Sequence, residues 1–100
     1  MATALPRVVT AEPLGDLRLR LTFSDGLIRE LDFEGTLRGG GVESLNDPVF
    51  FEQVTVDPVA GTIAWPNGVD LDPDVLHGDE VPANGPAPKL LSERRLRTTG

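Results

Sequence analysis

Three aspartates at alternate positions, Asp70, Asp72 and Asp74, have the spacing that comes nearest to a chemical site in this chain. Carboxylates at the first, third and fifth places of a loop are what a calcium-binding EF-hand uses. The match then stops. The sixth place is Val75 where that loop needs Gly, and the twelfth is Val81 where it needs Glu. Asp72-Pro73 reads better as a helix start, an acidic N-cap followed by Pro at the first helical position. The carboxylates are therefore taken as capping groups, and no metal or other cofactor is expected.

His77 is the only histidine. It could serve as a lone general base, but it cannot build a multi-histidine metal site. A triad of Ser24, His77 and an aspartate can be drawn, yet Ser24 lies in a hairpin turn without the Gly-x-Ser-x-Gly elbow that exposes a nucleophile. Gly39-Gly40-Gly41 could cradle a phosphate through backbone N–H groups. No Gly-Lys-Ser/Thr and no long helix follow it, so it reads as a loop. Cysteine is absent, which removes disulfides, thiolate catalysis and Cys-held zinc or iron–sulfur sites. No nucleophile, base and oxyanion donor come together, and the chain is not expected to be an enzyme.

Binding is the remaining kind of work, and charge says what would be bound. Residues 1–80 carry five Arg and fifteen Asp or Glu, a balance of −10; residues 81–100 carry Lys89, Arg94, Arg95 and Arg97 against Glu93, a balance of +3. An acidic body repels phosphate backbones and attracts basic protein surfaces. The basic end is open to several readings: a contact with nucleic acid, with a partner's acidic patch, or with the protein's own acidic body, or plain disorder. Trp65, the only tryptophan, ends a strand beside Pro66 and serves either as core packing or as a partner-facing anchor. With Asn67, Asp70 and Asp72 it forms the candidate partner-binding set.

The elements that must position these residues are short, because Gly (11) and Pro (9) punctuate the chain. Arg7 to Leu14 is rich in β-branched residues and reads as a strand ending near Pro13. Gly15-Asp16 turns the chain into Leu17 to Phe23, where Leu17, Leu19, Leu21 and Phe23 alternate with Arg18, Arg20 and Thr22. Ser24-Asp25-Gly26 makes a hairpin, and Leu27 to Phe33 returns as the third strand of a meander. Asn46-Asp47-Pro48 announces a short helix with Val49, Phe50 and Phe51 on its buried side. Val54 to Val56 and Thr62 to Trp65 form a second hairpin, and Asp72-Pro73 starts one helical turn towards His77. The fold class is α+β: a small curled antiparallel sheet, made of a three-stranded meander plus a second hairpin, with two short helices.

Residues 1–78 form the expected domain. Residues 79–100 read as a Pro/Gly linker and a basic tail, either a short helix over Lys89 to Arg97 or a mobile segment that docks elsewhere. No apolar run approaches the roughly 18–20 residues that cross a bilayer, and the N-terminus lacks a signal-peptide pattern. A cytoplasmic protein without a membrane partner is expected.

Four separated motifs carry a resemblance. Arg7-Val8-Val9, Leu19 to Gly26, Asp47-Pro48-Val49-Phe50-Phe51 and Gly61 to Leu71 occur in this order, and together the chain resembles the bacterial family called domain of unknown function 2442 over about residues 5–78. The resemblance implies a small α+β domain with a curled antiparallel sheet and assigns no catalytic residues. It also implies gene pairing with a second small protein, in the manner of toxin–antitoxin pairs. Some relatives continue into a DNA-binding helix-turn-helix. Residues 79–100 are too few and too Pro-rich for two packed helices, so operator binding is not expected of them. The leading expectation is a non-enzymatic, antitoxin-like protein-interaction module whose partner is a small basic protein encoded by a neighbouring gene. A homodimer through open sheet edges is compatible with it. The alternative is a nucleic-acid-associated regulator acting through Lys89, Arg94, Arg95 and Arg97.

Overall fold

A computed structural model of the chain describes residues 6–37, 42–78 and 87–95. The Gly39-Gly40-Gly41 loop, residues 79–86 of the linker and Arg97 fall outside the described residues.

Strand β1 (Val8–Gly15), β2 (Arg18–Phe23) and β3 (Leu27–Asp32) form the antiparallel meander that the alternation predicts. Leu17, Leu19, Leu21 and Phe23 are all buried, as one face of a period-two strand should be. Strand β1 runs past Pro13 instead of ending there, with Pro13 opposite Leu19 and a register shift before Gly15. The sheet order β1-β2-β3-β6 makes β1 an edge strand, the place where a residue without a backbone N–H is tolerated.

Pairing also fixes what each face carries. Leu19 opposite Leu31 and Leu21 opposite Arg29 look into the core. Glu12, Arg20 and Glu30 line up across the other face, beside Arg18, Asp32 and Lys89. Arg20 Nε donates to Glu30 Oε2 at 3.0 Å, and its Nη1 donates to Glu12. That ladder of alternating sign suits a face turned to water.

After a 3₁₀ turn at Val42–Asn46, helix α1 spans Pro48–Phe51, capped by the Asp47 side chain, which accepts from the Val49 N–H at 3.0 Å. Phe51 is fully buried and Phe50 partly so, but Val49 is 71% exposed. The expectation that all three face inward fails because consecutive helical residues diverge by about 100°. Strands β4 (Thr55–Asp57) and β5 (Thr62–Ala64) form the second hairpin, which lies against β1 and is tied to it by the Val8 N–H donating to Gly61 O at 2.9 Å. Helix α2 (Pro73–His77) starts at Asp72, whose side chain accepts from the Asp74 N–H. It ends at Gly78 in the left-handed conformation, φ 97°, which glycine enters without steric cost. The fold is thus α+β, with a four-stranded sheet, a two-stranded sheet and two short helices among the described residues.

The fourth strand corrects the reading of the basic end. Lys89–Arg95 is not a helix but strand β6, antiparallel to β3. A segment this short is a marginal helix alone, whereas the unpaired edge of β3 offers it a ladder of backbone hydrogen bonds. Nothing local in Lys89 to Arg95 announces that partner.

Candidate functional site

Two surfaces carry the charged residues of interest. The first lies where β6, the C-terminal end of α2 and the β2–β3 turn converge. Asp25 in that turn caps the turn itself, its Oδ1 accepting from the Leu27 N–H at 3.1 Å. Its Oδ2 accepts from His77 Nε2 at 2.8 Å and pairs with Arg95 Nη1 at 3.2 Å. Arg95 also donates to the Asp25 carbonyl at 3.0 Å. Partial burial favours the neutral acid at Asp25, but the Leu27 N–H, His77 and Arg95 outweigh it and hold the carboxyl below the ordinary aspartate range. The His77 ring sits edge-on to Phe23, centroids 4.8 Å apart.

Arg29 completes this junction from β3. Cross-strand pairing to Leu21 puts it on the core face, where its side chain is only 11% exposed. A guanidinium is held there by one hydrogen bond and one ion pair: Nη1 donates to the Leu76 carbonyl at 2.7 Å, and Nε lies 3.0 Å from Glu93 Oε1 of β6 in a charge contact without hydrogen-bond geometry. One residue thus ties the end of α2 and the fourth strand to the sheet. Sequence reading passed over Arg29, although a signal was there: it falls in phase with Leu27, Leu31 and Phe33 on the apolar side of its strand.

The second surface is acidic. No Lys or Arg occurs between Arg38 and Lys89, and residues 42–78 carry Glu43, Asp47, Glu52, Asp57, Asp70, Asp72 and Asp74. The 3₁₀ turn, α1, the second hairpin and α2 are thus acidic in sequence, while the described cations come from the four-stranded sheet and from Arg7 just before it, whose guanidinium reaches the loop of the second hairpin and donates to the Pro58 and Val59 carbonyls. Asp47, Asp57 and Asp72 are engaged by backbone N–H groups of their own turns and caps. Glu43, Glu52 and Asp70 are exposed.

The residues singled out by sequence divide between these surfaces and the core. Trp65 is buried, its ring centroid 5.7 Å from that of Phe51, with Nε1 donating to the Phe51 carbonyl at 2.9 Å. It is a core residue and offers no side-chain surface as a partner anchor. Asn67 is exposed and stitches its turn in two directions, Oδ1 accepting from the Val69 N–H and Nδ2 donating to Ser44 Oγ at 2.9 Å. Asp70 is exposed and bridges to Ala64 through the backbone, and Asp72 is the α2 cap. The three alternating aspartates do not converge: among the described residues no group of three or more His, Asp or Glu side chains could hold a metal ion. The carboxylate that meets His77 is Asp25, and the neighbouring Ser24 Oγ accepts from the Arg7 N–H at 2.9 Å. Of the basic set, Arg95 is paired with Asp25, Lys89 lies opposite Asp32, and Arg94 lies opposite Ile28. Contact with the protein's own acidic body is thus the reading realised by Arg95. Among the described residues no helix is long and apolar enough to cross a membrane.

A small α+β domain with this meander, second hairpin and pair of capped turns defines the structural class. Residues 8–80 match the model of DUF2442, described as a protein of unknown function, and the chain belongs to that family. No curated protein and no solved structure matches the chain. The family match ends before β6, which begins at Lys89.

Proposed function

We propose that this protein is a non-enzymatic protein-interaction module whose acidic stretch receives a small basic protein, in the manner of an antitoxin and its partner. The observation that carries the reading is the segregation of charge along the chain: seven carboxylates and no Lys or Arg over residues 42–78, the stretch that forms the elements outside the four-stranded sheet. A surface of one sign steers an oppositely charged protein into encounter, and the attraction falls as salt screens it. Glu43, Glu52 and Asp70 are the exposed groups that would meet Lys or Arg side chains. A cytoplasmic setting, where such a partner would be made beside it, accords with the cysteine-free sequence.

The test is co-expression with the product of the neighbouring open reading frame, affinity capture, and titration of the purified pair at rising salt. The reading requires a stoichiometric complex whose affinity falls with salt and is weakened by Glu43→Gln, Glu52→Gln and Asp70→Asn together. A partner that fails to bind, or binds with no dependence on salt or on these three residues, overturns it.

A further inference from the structure

Strand β6 has the character of a bound ligand rather than of a core element. Every one of its seven residues is exposed, including Leu90 and Leu91 at 44% and 43%. Among the described residues every member of the buried core lies between Val8 and Leu76, and the family match closes at residue 80. The domain is therefore complete before β6 is added. What holds β6 is the backbone ladder to β3 and two side-chain clasps, Glu93 to Arg29 and Arg95 to Asp25. The ladder itself is interrupted by a register shift opposite Glu30 and Leu31, where Leu91 has no cross-strand partner. A strand with no buried side chain and a broken ladder belongs to the least stable unit of a fold, the one that opens first.

We infer that the edge of β3 is a strand-docking site, occupied in cis by β6 and open, when β6 leaves, to an extended segment of a different protein. The chemistry of the occupant is set by the clasps. Arg29 selects a carboxylate, and two positions further along the Asp25 carboxylate, braced by His77, selects a cation. The fitting segment is therefore extended, carries an acid-x-arginine pair, and has a leucine near the position of Leu90 opposite Leu31. Backbone pairing would supply affinity and the two clasps would supply register, as in other recognition by strand addition. This site lies on the sheet that bears the cations and does not depend on the acidic stretch binding anything.

The probe is a fluorescent peptide of residues 87–95, Ala-Pro-Lys-Leu-Leu-Ser-Glu-Arg-Arg, added to the full chain and to the full chain carrying Ser92→Pro with Glu93→Pro. Neighbouring residues of a strand point their N–H groups to opposite edges, so one of these prolines must remove a donor to β3. Peptide binding to the double variant at least tenfold tighter than to the unaltered chain is the expected result. A peptide with the Glu93 and Arg95 charges reversed is expected to bind at least tenfold less tightly than the original. Equal binding to both chains, or none to a folded double variant, overturns the inference. So does a light-scattering dimer of the unaltered chain that excludes the peptide, since the occupant is then a second copy. Should the double variant not fold, native-state hydrogen exchange on the unaltered chain decides. Amides of β6 exchanging well ahead of those of β2 support a separable strand, and exchange of both only on global unfolding overturns it.

Discussion

Asp25 and Arg95 stand 70 positions apart in the chain and meet at 3.2 Å, closing the C-terminal end of β6 onto the β2–β3 turn. Because His77 donates to the same carboxylate oxygen, Asp25 joins three elements: a turn, the end of a helix and an edge strand. The consequences of that arrangement, and of Arg29 beside it, can be measured.

Asp25 has a depressed pKa in the folded state. Its stabilising contribution is therefore fully present above the unfolded aspartate value of about 3.9 and is lost as pH falls through the lower folded value. Asp25→Asn keeps an acceptor for the Leu27 N–H and removes the charge. We expect it to lower stability by roughly 0.5–1.5 kcal/mol at neutral pH. In thermal melts the gap between variant and unaltered chain should close below about pH 4. A gap that persists unchanged into strong acid would show that the charge is not the cause.

Arg29 and Glu93 form one pair but should not cost the same to remove. Arg29→Leu leaves the Leu76 carbonyl without its donor and should cost about 1–3 kcal/mol. Glu93→Gln, on the exposed side of the pair, should cost about 1 kcal/mol or less. Urea unfolding of the two variants compares them directly, and equal costs would refute the asymmetry.

Gly78→Ala combines two penalties. The residue sits at φ 97°, and a Cβ there would lie 2.7 Å from Arg29 Nη1, a group fixed by its own contacts. Gly35, at φ 77°, has open space for a Cβ. Both substitutions pay the left-handed backbone cost of about 1–2 kcal/mol, so Gly78→Ala should be the more destabilising of the two in denaturant titrations.

Trp65 reports on the core. Its emission should be blue-shifted and shielded from acrylamide until the domain unfolds. Trp65→Phe, which leaves the Phe51 carbonyl without the indole N–H, should cost about 1–3 kcal/mol. In the folded variant, binding of any protein partner should be unchanged, since the ring is not on the surface. Lost partner binding by a natively folded Trp65→Phe chain would contradict this placement.

Much of the fold was legible because its signals are local. Alternation from Leu17 to Phe23 sets a strand whatever surrounds it, Gly15-Asp16 and Ser24-Asp25-Gly26 set turns, and Asp47-Pro48 and Asp72-Pro73 set helix starts through their own side chains and missing N–H groups. The family likeness was legible for the same reason, since its motifs are these strands, turns and caps. Unequal placement of charge was also readable as composition, for no folding is needed to count it.

Tertiary structure alone decided the rest. Lys89 to Arg95 became a strand because β3 had an unpaired edge, a fact about residues some 60 positions earlier with no trace in the segment itself. Trp65 could have faced either way until Phe51 supplied an acceptor for its indole N–H. Val49 turned outward because a four-residue helix has room for only one of its three apolar neighbours to point fully into the core. The meeting of Asp25, His77 and Arg95 arises from the placing of three separate elements. Local periodicity decides what each segment becomes, but which side chains then come within hydrogen-bonding distance depends on how the segments pack against one another.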